Sequence, residues 1–89
     1  MTTHMRVLSI NAQERAYRFS PQLEDLYLRG KIVNATLNTL GVERVYWETP
    51  NGCDSVLRIR CANGANPRLL DRAARAIVEN VVGGSVLLT

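Results

Sequence analysis

The sequence predicts one α+β domain, a four-stranded antiparallel sheet with two helices on one face. Two observations predict it. Short segments rich in branched residues, several of them with a period of two, read as strands, while two longer segments carry apolar residues at three- and four-residue steps and read as helices. Their order along the chain is strand, helix, strand, strand, helix, strand. A chain of 89 residues has room for a single core, so residues 5–89 are expected to form one domain behind a polar tail at 1–4.

The first strand is read at Met5 to Ile10, with Leu8 and Ile10 on one face and Val7 and Ser9 on the other. Asn11 to Arg15 is polar and turns. Ala16 to Phe19 extends with Tyr17 and Phe19 on one face, and the local pattern leaves open whether it pairs with the first strand. Ser20-Pro21 then has the form of a helix start, a serine cap followed by proline at the first helical position. Glu24 and Asp25 follow in the first turns, where the helix dipole favours anions. Leu23, Leu26, Tyr27, Val33, Leu37 and Leu40 form the expected inward stripe, and Gly41 the stop. Gly30 is the weak point, a place for a kink or for a close neighbour.

The next strand is read at Val42 to Thr49 and is followed by a turn at Pro50-Asn51-Gly52-Cys53-Asp54, since Asn-Gly is a strong hairpin signal. Ser55 to Cys61 alternates, with Leu57, Ile59 and Cys61 on one side and Arg58 and Arg60 on the other. A loop at 62–65 leads to Asn66-Pro67, a second cap-and-proline start. The second helix runs to Val82, with Leu70, Ala73, Ala74, Ile77, Val78 and Val81 inward and Gly83-Gly84 as the stop. Ser85 to Thr89 is the last strand. Together these elements have the ferredoxin-like βαββαβ order, an arrangement that hosts many unrelated functions.

Composition excludes several classes. Hydrophobic residues are 46% and charged ones 21%, ordinary for a globular chain. No apolar run reaches the length of a membrane span, and cytoplasmic residence is the default expectation. Cys53 and Cys61 lie at opposite ends of a strand, too far apart to pair, and are read as reduced, Cys61 as a core residue. No metal and no cofactor is expected. A soft-metal loop after the first strand would need cysteines between Asn11 and Ser20, and there are none. No catalytic set emerges either: the one histidine, His4, lies in the tail, and no cysteine or serine has a base beside it.

The net charge of +3 is mild, but ten arginines stand against one lysine, Lys31. Arginine forks suit carboxylate and phosphate. With Val45 and Trp47 inward, Arg44, Tyr46, Glu48, Arg58 and Arg60 share the open sheet face. Arg68, Arg72 and Arg75 form a second basic stripe on the second helix, with Asp71 placed to pair with Arg75.

These features point to a non-enzymatic binding module acting through protein–protein association. The expected form is a homodimer through the open sheet face, with Val7, Tyr46, Val56 and Leu87 as its apolar centre and Glu43 or Glu48 answering the arginines. The strand at 85–89 offers a further, edge-to-edge contact. The candidate partner-binding residues are Arg44, Tyr46, Arg58, Arg60, Arg68 and Arg72. Alternatives are a small nucleic-acid-binding domain using Arg44, Tyr46, Arg58 and Arg60, or a regulatory domain that responds to a small anion.

Overall fold

The structure is a computed structural model that describes residues 2–8, 11, 13–39, 41–49, 55–62 and 65–89. The expected turn at 50–54, with Cys53, lies outside the described residues, as do Ser9, Ile10, Leu40, Asn63 and Gly64. The described residues form five strands and two helices in the order β1 (Thr3–Val7), β2 (Glu14–Ser20), α1 (Leu26–Leu37), β3 (Val42–Glu48), β4 (Ser55–Cys61), α2 (Pro67–Val82) and β5 (Val86–Leu88). They build one sheet of order β3-β4-β2-β1-β5.

The α+β class and the two-helix layer stand, but the ferredoxin-like four-stranded antiparallel sheet requires correction. The segment left open, 16–19, is the middle of a full strand at Glu14–Ser20, so Glu14 and Arg15 are not turn, and it pairs antiparallel with β1 on one side and with β4 on the other. It separates β1 from β4, which a ferredoxin-like sheet would place side by side. Inserting one strand reverses the relative direction of its two flanks, so β5 now runs parallel to β1. Residues 3 and 4 are also not tail: both lie in β1, and His4 Nε2 sits 2.6 Å from Thr89 Oγ1.

Period-two alternation divides each strand between the two faces. Met5, Tyr17, Phe19, Val45, Leu57, Ile59, Cys61 and Val86 join Ile32, Leu70, Ala74 and Val78 in the core between sheet and helices. Val7, expected outward, packs against this core. It pairs with Tyr17 as Met5 pairs with Phe19, so the register of β2 settles which face of β1 is inside.

The second helix matches its reading. The Asn66 side chain accepts from the amides of Arg68 and Leu69, Pro67 opens the helix, and Gly83 closes it at φ +71°. The first helix departs from its reading. Ser20 belongs to β2, opposite His4, and the cap is Asp25, whose carboxylate accepts from the amides of Tyr27 and Leu28. The helix ends at Leu37, before Gly41, and runs unbroken through Gly30, where a Cβ would meet nothing within 4 Å.

The inward stripe of α1 is corrected in part: Leu23 and Val33 pack against the core as expected, but three other members do not. Ile32 and Thr36 are buried, whereas Leu26, Tyr27 and Leu37 are 78%, 70% and 45% exposed. Polar anchors set this phase. Arg29 donates through Nη2 to Ser55 Oγ at 2.8 Å and through Nε to the Leu23 carbonyl. Its guanidinium lies 4.9 Å from the Trp47 ring, and the Trp47 indole N–H donates back to the Arg29 carbonyl at 3.2 Å. These contacts clamp α1 to β3 and β4 and turn its flanking leucines outward.

Candidate interaction surfaces

The open face of the sheet carries the outward residues of each strand. Across β3 and β4, Arg44 lies opposite Arg60, Tyr46 opposite Arg58, and Glu48 opposite Val56. Across β4 and β2, Arg60 meets Glu14, Arg58 meets Ala16, and Val56 meets Arg18. Arg18 in turn lies opposite Arg6 of β1. Four of the six residues singled out from sequence, Arg44, Tyr46, Arg58 and Arg60, are thus brought together.

Arg6, Arg18 and Glu14 were missed as members of this face because the pairing of β2 was undetermined. The signal was present in Tyr17 and Phe19, whose shared face puts Arg18 on the other. Arg68 and Arg72 are exposed on α2, in the helix layer, and are not part of the cluster. The expected Asp71–Arg75 pair is also absent. Arg75 Nε bonds Glu79 at 3.1 Å, and Asp71 turns to the sheet, where Arg15 Nε and Nη2 reach it at 3.0 and 2.6 Å.

The arginines of the open face are held among acids. Arg58 Nε is 2.7 Å from Glu48, a contact that raises the guanidinium pKa above its usual value, first through the hydrogen bond. Arg60 makes longer contacts, 3.9 Å to Glu14 and 3.8 Å to Glu43. The Arg44 guanidinium stacks 4.8 Å from the Tyr46 ring. Between them is a depression of about 40 Å³ lined by Glu14, Arg44, Tyr46, Arg58 and Arg60, room for a small ion rather than for a substrate. Ala16 and Val56, although on this face, are fully buried and lie outside the main core. Their register neighbours Arg58, Arg18 and Glu48 are long, and the aliphatic stems of such residues cover small apolar neighbours. The apolar centre expected for a sheet-face dimer is therefore reduced: Val7 is inward, Val56 is covered, and Tyr46 lies under Arg44.

One flank of α1 is the contrasting surface. Leu26, Gly30, Val33 and Leu37 fall at steps of four, three and four, one stripe of a helix. Leu26 and Leu37 are exposed, Gly30 leaves a notch, and Val33 is half-buried at the margin of the core. Sequence reasoning placed the large members of this stripe in the core because their spacing suits a buried face equally well. Among the described residues no three His, Cys, Asp or Glu side chains are grouped as a metal site would need, and no helix is long and apolar enough to cross a membrane.

The molecule is thus an α+β module in which two helices cover one face of a mixed five-stranded sheet and the other face is rich in arginine. No family model matches the chain, and no curated protein is similar to it in sequence. Among solved structures it is similar to the DNA-directed RNA polymerase subunit L of Thermoplasma acidophilum, with a TM-score of 0.60 over 91% of this chain and 80% of that one. The identity is 16%, so the likeness establishes a shared fold alone.

Proposed function

We propose that this chain is a small, non-enzymatic protein-interaction module that docks a protein partner on the exposed leucine stripe of α1. One observation carries the reading: Leu26 and Leu37, with Tyr27 beside them, are large apolar side chains held out to solvent on a helix anchored firmly through Arg29. Contiguous exposed apolar surface on a small domain marks contact sites. The similar solved structure is, by its name, a subunit of a larger enzyme, which supports use of this fold as one chain of an assembly. A homodimer meeting through the open sheet faces is the weaker form of the reading. It would bring five arginines of each copy together with only Glu14, Glu43 and Glu48 to answer them.

The test uses the tagged chain expressed in its own cells. Leu26→Glu with Leu37→Glu is expected to abolish recovery of the bound protein while thermal unfolding stays close to wild type, since both side chains are exposed. Each buried anchor is worth about 1–3 kcal/mol in an interface. Recovery of the same partner by this variant would refute the docking site.

The depression among Arg44, Tyr46, Arg58 and Arg60 favours a second reading, binding of phosphate groups, whether of a nucleic acid or of a free anion. The glutamates among the arginines weaken it by lowering the local field. Arg58→Glu with Arg60→Glu separates the two readings. Loss of a strongly salt-sensitive, 260 nm-absorbing component would support the second, and an unchanged protein partner the first.

A further inference from the structure

The sheet has two edges, and they are built differently. The β3 edge is guarded by a bulge between Val42 and Arg44 and by Glu43, Arg44 and Glu48, features that disfavour pairing with another strand. Among the described residues the β5 edge has no such protection: Val86, Leu87 and Leu88 are uncharged, and Leu87 is 54% exposed. Its free groups follow from its pairing with β1. The Ser85 carbonyl accepts from Thr3, the Thr89 amide donates to Met5, and the Thr89 carbonyl accepts from Val7. Residues 85, 87 and 89 therefore turn their backbone groups to β1, and alternation leaves those of Val86 and Leu88 pointing out of the sheet.

We infer that β5 is a β-augmentation site whose occupant is the β5 strand of a second copy. An antiparallel register centred on Leu87 places Val86 opposite the partner's Leu88 and Leu88 opposite the partner's Val86. Both are hydrogen-bonded pairs, so four backbone bonds satisfy every outward group of the two strands. Leu87 then meets the partner's Leu87 at the closer, non-hydrogen-bonded position, which covers the exposed leucine on each side. The strand is its own complement, and with no charge in it no like pair is created. Between α2 and this edge runs an open groove of about 590 Å³ lined by Arg75, Ala76, Glu79, Asn80 and residues 83–86, which leaves room beside the strand. The product is a continuous ten-stranded sheet joined by a short interface, smaller than the ~1,200 Å² of standard complexes and therefore weak.

This inference is independent of docking on α1, and its test keeps the two apart. Sedimentation of the intact chain from about 1 μM to about 1 mM is expected to show a monomer–dimer equilibrium. Leu87→Lys and Leu87→Glu, at an exposed position, should each raise the dimer dissociation constant roughly tenfold or more by setting like charges face to face. Mixing the two variants should restore a heterodimer. On dimerisation the amides of Val86 and Leu88 should gain protection from hydrogen exchange, while that of Leu87, already bonded to β1, should not change. A chain that stays monomeric throughout, a dimer indifferent to Leu87→Lys, or a lysine–glutamate mixture that stays monomeric would overturn the inference. So would a dimer lost instead in the Leu26→Glu, Leu37→Glu variant.

Discussion

At Asp71 one carboxylate accepts from both nitrogens of the Arg15 fork and from the Tyr17 hydroxyl, tying α2 to β2. The group is largely withdrawn from water, so removing one member leaves the others with unmet charge or hydrogen-bonding capacity. Asp71→Ala is expected to cost about 3 kcal/mol in urea unfolding, and Arg15→Met, Tyr17→Phe and Asp71→Leu together to recover most of that loss. The same site gives the protein an alkaline limit. Burial, and then Asp71, push the Tyr17 pKa well above its ordinary value, and burial raises that of the Cys61 thiol. Both groups hold their protons in the folded state at pH values where the unfolded chain releases them. Their contribution to stability is complete below the ordinary thiol and phenol values and is lost as pH rises beyond them. Stability should therefore fall from about pH 9 upward, with a shallower slope above pH 10 in Tyr17→Phe. An equal slope in that variant would remove Tyr17 as the cause.

Helix α1 shows how a local pattern can mislead about its own inside. Its apolar residues are spread around the helix, and the face turned inward is chosen by Arg29, Trp47 and Ser55, which belong to three different elements. No reading confined to residues 20–41 contains that information. Helix α2 carries a sharply divided pattern, so Leu70, Ala74 and Val78 were identifiable as buried, along with the Asn66 cap and the Gly83 stop. Gly30 provides a test at this scale. It lies in mid-helix with open space around it, so Gly30→Ala should raise stability by about 0.5–1 kcal/mol through the cost of ordering glycine. A destabilised variant in thermal melts would mean that the notch is occupied or strained.

For the whole molecule the consequential element is β2. By pairing with both β1 and β4 it adds Arg18 and Glu14 to the arginine face, turns Val7 inward, supplies the partners of Asp71 and makes β5 parallel to β1. Its insertion is internal and leaves the edges to charged, bulged β3 on one side and uncharged β5 on the other. Surfaces that strand and helix patterns alone treat as equivalent become distinct: a solvated arginine face, an apolar helix stripe and an edge able to pair.

The sequence by itself determined the element types from β3 onward, the α+β class, the capping of α2, and the alternation that puts Arg58 and Arg60 outward on β4. These depend on residues within a few positions of one another, through backbone preference and side-chain period. Only the tertiary structure decided where residues 14–20 pair, which side of α1 faces the core, and where Asp71 finds its partners. Those outcomes are settled by segments distant in sequence competing for the same strand edge and the same core volume, and no local pattern carries their relative free energies.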